Sequence, residues 1–290
     1  MKIDYCKLKI AFMLIDSHAH VNFNAFKDDY EAVINKALDN DVLIVNVGSQ
    51  YSTSKRAVKI ANEFETGVWA IVGIHPIHLN KKTIYLDTEE LASAQEIKAN
   101  GEDYDAEKYL ELAQDKKTVA IGEVGLDYHH FEEGDDTETL IKKQKEVLLK
   151  FICLANEVDK PLMVHCWDAY PDLLEILKNY PVNKKGIIHS FIGGYKTARK
   201  FIELGYKIGL NGIITYTDDY ARLLKEIPLE HIVIETDCPY LGPAPVKGER
   251  NEPAHVKYVA EKIAQMTGLE FEEVARVTTE NAKRVFNIVP

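Results

Sequence analysis

Short apolar runs rich in valine and isoleucine recur along the chain at 14–20, 42–47, 68–74, 118–124, 161–165, 186–190, 206–211 and 231–237, each ending in a polar loop. Runs of that length and composition, bounded by polar or glycine-containing segments, read as β-strands. Between them the apolar residues recur at helical spacing, which predicts helices over 28–40, 53–65, 137–158, 170–179, 195–204 and 216–226. Two more, over 253–267 and 270–287, follow the last strand. Eight strands alternating with helices argue for parallel βα units, and that is the number a (β/α)8 TIM barrel requires. An open doubly wound sheet is the rival, but no G-x-G-x-x-G or G-x-x-x-x-G-K motif follows any of the runs.

Two segments break the rhythm. Residues 80–117 are long and acid-rich, with Asn100-Gly101 expected to separate two helices, and residues 129–136 form a polar loop. Both leave from the downstream ends of strands, where barrel active sites sit. With no internal repeat or low-complexity linker, residues 1–290 are expected to form a single domain, 1–13 being an N-terminal extension.

Apolar residues make up 46% of the chain, enough for one large core, and no run reaches the ~20 residues of a membrane span. No membrane partner is expected. The start carries lysines and a short apolar stretch, but it runs straight into Asp16 without a small-residue cleavage site, unlike a signal peptide, and Met13 is an alternative start. Four cysteines without a C-x-x-C pair point to a reducing cytoplasm rather than a disulfide framework. The net charge of −11 disfavours a protein that coats nucleic acid by counterion release. It leaves room for an enzyme that grips a few phosphates through bound cations.

The candidate chemistry lies at the strand ends. The first run closes on Asp16-Ser17-His18-Ala19-His20, and alternate strand residues face one side, so His18 and His20 aim two imidazoles at one point. Asp16 shares that face, either as a buried polar group bonded to backbone or as a support for the ligands. Glu123 ends a later run; a carboxylate there is costly to bury unpaired, and its two oxygens can bridge two cations. His165, His189 and Asp237 stand at the same end of three further runs, with Glu235 on the face of Asp237. Cys166 and Cys238 should turn away and pack between barrel and helices. His75 is positioned to reach the site, Asp127 and Tyr128 to line the cavity, and Arg250 and Lys247 to meet an anionic substrate or else to form surface ion pairs. His78, His129 and His130 read as loop residues.

With these residues in view the chain resembles the TatD family of metal-dependent hydrolases, amidohydrolase-like barrels. The resemblance runs from D-S-H-A-H at 16–20 through G-I-H-P at 73–76, I-G-E-V-G-L-D-Y at 121–128, His165, H-S-F at 189–191, E-T-D-C-P-Y-L at 235–241 and R-N-E-P at 250–253. It implies two divalent metal ions, one on His18, His20, Glu123 and Asp237, the other on Glu123, His165 and His189. It also implies deoxyribonuclease activity, often 3′ to 5′ on single strands, or D-aminoacyl-tRNA deacylation. Asp237 would then act as general base. Four imidazoles favour Zn, Mn, Fe or Ni over Mg, although family nucleases also work with Mg. One departure stands out: where the family has H-x-R-D, this chain has His165-Cys166-Trp167-Asp168. An indole packed between helices is expected there, with stacking on a base as the alternative. Three readings follow: a nuclease on DNA ends, a hydrolase of another small phosphoester, ester or amide, and a metal-binding scaffold without turnover.

Overall fold

The computed structural model describes residues 13–85 and 96–288, with 82–85 and 96–100 described as backbone alone. Most of the N-terminal extension lies outside the described residues. The strands are β1 (Leu14–Ala19), β2 (Val42–Val47), β3 (Val68–Val72), the pair β4 (Lys81–Tyr85) and β5 (Glu96–Asn100), β6 (Thr118–Asp127), β7 (Leu162–Trp167), β8 (Gly186–Ile188), β9 (Lys207–Leu210) and β10 (Ile232–Ile234). All but β4 and β5 form one eight-stranded sheet in the order β1-β2-β3-β6-β7-β8-β9-β10, every pairing parallel. The ring closes just beyond β10, where Asp237 N–H donates to the His18 carbonyl at 2.8 Å and His20 N–H to that of Cys238 at 2.8 Å. The (β/α)8 barrel expected from the alternation is the fold.

Helices α1 (Tyr30–Leu38), α2 (Tyr51–Glu63), α3 (Ala106–Gln114), α4 (Thr137–Glu157), α5 (Tyr170–Asn179), α6 (Tyr195–Glu203), α7 (Ala221–Glu226), α8 (Val256–Thr267) and α9 (Phe271–Phe286) accompany the strands. Their ends are chemically marked. Asp136 caps α4 by accepting the Thr139 N–H at 3.2 Å. In α9, Glu272 and Glu273 occupy the first turn and Lys283 and Arg284 the last, each opposing the helix dipole favourably. Among the described residues no helix is long and apolar enough to cross a membrane.

Two apolar layers result. One lies between strands and helices and includes Cys166 and Cys238, as strand alternation predicts. The other fills the barrel with Ile15, Val45, Ile71, Met163, Ile187 and Val233, and Phe286 and Ile288 at the end of α9 pack against it. The alternation that turns Met163 and Ile187 into the barrel turns His165 and His189, two residues later, to the same side.

Two sequence expectations are corrected. Among the described residues of 80–117 there is one helix, not two: an antiparallel strand pair, Lys81 opposite Asn100 and Tyr85 opposite Glu96, precedes α3. Thr83, Ile84 and Tyr85 favour extended backbone, which explains the strand. The helix expected over 216–226 starts only at Ala221, because a 3-10 turn ends at Tyr216 and the Thr217 hydroxyl accepts the Asp219 N–H at 3.1 Å. Such local side-chain bonds compete with helix.

Candidate metal centre

His18 and His20 leave β1 with their Nε2 atoms 3.1 Å apart. The register of β1 slips between Asp16 and Ala19, and that of β6 slips between Ile121 and Val124, on either side of Glu123. Irregularities of this kind re-aim side chains beside active sites. Glycine is required next to Glu123: Gly122 has φ +152° and Gly125 φ +154°, and a Cβ on Gly125 would collide with the His165 carbonyl oxygen. Asp237, three residues past β10, has φ +57°.

Glu123 is the centre of the arrangement. Its Oε2 faces His18 Nε2 at 3.5 Å and His20 Nε2 at 3.8 Å. Asp237 Oδ1 completes that group, 3.7 Å from His18 Nε2 and 3.3 Å from His20 Nε2. Oε1 faces the other way, 2.6 Å from His189 Nε2 and 3.3 Å from His165 Nδ1, and those two nitrogens are 3.3 Å apart. Five of the six side chains are buried; that of Asp237 is 14% exposed.

Hydrogen bonds on the far side of the rings decide which nitrogens offer lone pairs. His20 Nδ1 lies 2.8 Å from the Val47 carbonyl, so Nδ1 carries the proton and Nε2 is free to ligate. His165 is turned around: Nε2 donates to Asp127 Oδ2 at 3.0 Å, leaving Nδ1 toward Glu123. His189 Nδ1 stands 3.6 Å from Glu235 Oε1. Among the described residues, every ion pair made by Glu123, Asp127, Glu235 and Asp237 is with a histidine. Buried carboxylates without a lysine or arginine, converging with imidazole nitrogens, are a donor set for divalent cations. The groupings His18-His20-Glu123 and His18-His189-Asp237 each bring three ligand atoms within 4.8 Å of one another.

The electrostatics agree. Burial opposes ionisation of Glu123, but the imidazoles of His75, His189 and His18 outweigh it and hold its carboxyl well below the usual range. Burial likewise opposes charge on Asp237, and the His20 hydrogen bond with the His18 and His189 charges brings it down to about 2. Burial works against protons on His20, His165 and His189, yet neighbouring carboxylates raise all three. Protons there stand where cations would.

Other expected residues fall into place differently. His75 Nδ1 accepts the Ile77 N–H at 3.1 Å, so its Nε2 carries the hydrogen and faces Glu123 Oε1 at 3.5 Å as a donor. Burial, then His165, keeps its pKa well below the ordinary value. Asp127 is buried behind His165 and also lines a pocket shared with Ile77, His130 and Phe131. Asp16 is tied to the Thr236 N–H and hydroxyl and to the backbone N–H of His18, and so supports that ligand's backbone without touching the rings of the cluster. Arg250 forms the ion pair that was its alternative: its guanidinium grips Asp29 at 2.6 and 3.1 Å and the Ala25 carbonyl at 2.7 Å. Lys247 lies over the Tyr216 ring. Trp167 does not pack between helices; it sits beside the site, its ring centroid 5.8 Å from that of His165 and stacked on His130 at 5.5 Å. The sequence reading missed His130, which donates from Nδ1 to Asp127 Oδ2 at 2.8 Å. Its three-residue spacing from Asp127 is the one local signal. It also missed His78, buried against Ser49 Oγ at 3.3 Å.

A family model described as TatD related DNase matches residues 15–287. YabD of Bacillus subtilis, an uncharacterized metal-dependent hydrolase, is 39% identical over 95% of this chain and 100% of its own length. YcfH of Escherichia coli K12, named in the same terms, is 32% identical over 95% of this chain and 96% of its own. The crystal structure of the TatD homologue YJJV from E. coli K12 superposes with a TM-score of 0.81 at 26% identity, covering 97% of this chain and 100% of that one. With the fold and these relatives in agreement, the chain belongs to the TatD family of metal-dependent hydrolases.

Proposed function

We propose that the chain hydrolyses phosphodiester bonds at DNA ends, 3′ to 5′, with two divalent ions. His18, His20 and Asp237 hold one, His165 and His189 the other, and Glu123 reaches both. The division of Glu123 carries this reading: one oxygen faces each group of ligands. The nitrogen-rich donor set suits Zn, Mn, Fe or Ni better than Mg. When bound, a pair of divalent ions polarises a phosphoryl group and acidifies water.

The chain's own residues do the rest. Asp237, the most exposed of the six and ionised at neutral pH, accepts the proton of the attacking water and returns it to the leaving oxygen. His75 holds its Nε2–H toward Glu123 and so steadies the shared carboxylate. The family relationship supports DNA as substrate. A second reading, hydrolysis of an ester or amide carbonyl such as a D-aminoacyl-tRNA, draws support from Arg250, whose guanidinium is committed to Asp29, and from the neutral Trp167 beside His165.

Metal-loaded protein incubated with end-labelled single-stranded DNA, in parallel with a D-aminoacyl ester, tests the choice. Stepwise shortening of the DNA, abolished by chelator, is expected. Ester cleavage alone transfers the reading to carbonyl chemistry, and silence on both leaves a scaffold.

A further inference from the structure

Trp167 occupies the last position of β7, two residues beyond His165 and on the same side of the strand. The parallel register pairs it with Asp127 of β6, and its carbonyl accepts the Tyr128 N–H at 3.0 Å. Asp127 is the hub. Its Oδ2 takes hydrogens from His165 Nε2 at 3.0 Å and His130 Nδ1 at 2.8 Å, and its Oδ1 accepts the His130 N–H at 3.0 Å. Gln144 clamps the Asp127 backbone on both sides, accepting its N–H at 2.8 Å and donating to its carbonyl at 2.9 Å. The indole lies nearly parallel to the His130 ring, 15° between planes, and His129 meets it edge-on at 5.3 Å. The buried indole N–H has no hydrogen-bond partner among the described residues, so what Trp167 contributes is its aromatic face.

We infer that Trp167 is a positioning residue: by stacking on His130 it fixes the proton donor that holds Asp127, and through Asp127 it sets the tautomer and direction of His165. The inference rests on the proposed ion at His165 and His189. Without the indole face against it, the His130 ring would be held less firmly beside His165 at Asp127 Oδ2. The carboxylate could then turn, and His165 would lose the bond that keeps its Nδ1 toward Glu123. Partners behind a metal-binding histidine are worth about 10–100-fold in metal affinity.

The test is Mn(II) titration of the purified full chain, followed by calorimetry and electron paramagnetic resonance. Two ions per chain with an exchange-coupled spectrum are expected for the wild type. Trp167→Ala should weaken one ion by about tenfold or more and give an uncoupled spectrum at the loading that saturates the wild type, leaving the other ion's affinity unchanged. Trp167→Phe, which keeps a ring face, should restore the coupled spectrum. His130→Ala should reproduce the selective loss, and it stands in should Trp167→Ala fail to fold. A wild type that binds two coupled ions, with both alanine variants binding them equally well, overturns the inference alone. Equal weakening of both ions also overturns it, pointing to a general loss of structure. A wild type that binds only one ion, or none, removes the two-ion reading and this inference together.

Discussion

The two oxygens of Glu123 look onto neighbourhoods built from similar ligands but backed differently. Behind the Oε1 side stand carboxylates: Asp127 touches His165 and Glu235 lies near His189. Behind the Oε2 side stands neutral backbone: His20 leans on the Val47 carbonyl, and His18 Nδ1 has no partner among the described residues. The Oε2 side has a carboxylate in direct reach of its nitrogens instead, Asp237. One side therefore keeps its negative charge where it strengthens imidazole donors. The other keeps it at the mouth, where it can exchange a proton with substrate. The difference suggests a division of labour, an Oε1 side that retains its ion and an Oε2 side that works on water.

The largest effect should come from removing what the two sides share. Glu123→Ala takes one ligand from each group, so elemental analysis should show both ions depleted and turnover should fall by at least on the order of 10³-fold. Losing a single contact of a preorganised site already costs about 10²–10³-fold. Retention of normal metal content would separate Glu123 from the centre. Asp237→Asn should be more selective, lowering kcat by about 10²–10⁴-fold while the ion beside Oε1 stays bound. A variant with near-normal kcat and both ions in place would show that the proton goes elsewhere.

Much of this was legible in the sequence, for reasons that also explain what was not. β2 and α5 begin and end where periodicity places them, at Val42–Val47 and Tyr170–Asn179, because burial on a repeating face is a local property. The H-x-H pair, Glu123, His165, His189 and Asp237 could be picked out because a polar side chain at the end of an apolar run is conspicuous. Their partners could not. Arg250 meets Asp29 across 221 positions, and Trp167 meets His130 from another strand's loop. No periodicity records which of several exposed-looking groups a distant loop brings together. Asp127 was visible as a strand-end acid, but its service to His165 depends on the register between β6 and β7.

A buried histidine beside the cluster, His78, can be probed by acid in the metal-free protein. Burial pushes His78 down to about 4 from an ordinary value of 6.5, against the Glu123 charge, which raises it, while the His20 charge adds a smaller push downward. A group whose folded pKa is depressed contributes stability above its unfolded pKa, and that contribution is lost as pH falls through the folded value. For His78 the window runs from about pH 6.5 down to about 4, and the loss is on the order of 3 kcal/mol. Chelator-treated wild type should lose stability across that window in urea titrations, and His78→Gln should lose less. Parallel pH profiles for the two proteins would mean that His78 is not held neutral in the folded chain.

The smallest effect, and the finest test of the comparison, lies at Glu235. Its Oε1 is 3.6 Å from His189 Nδ1, beyond a good hydrogen bond, and it accepts the Ser190 N–H at 2.5 Å. Glu235 therefore acts on His189 chiefly as a charge, whereas Asp127 acts on His165 through a direct bond. Glu235→Gln keeps an acceptor for Ser190 and removes only the charge, so the affinity of the ion beside Oε1 should fall by about tenfold, the low end for partners behind a ligand. Asp127→Asn, which disturbs a bond, should cost more. Chelator competition on both variants measures the ranking. If Glu235→Gln weakens binding as much as Asp127→Asn, charge alone sets the donor strength on that side. If it instead weakens the ion beside Oε2, the carboxylates behind the Oε1 side do not serve it, and the division of labour fails.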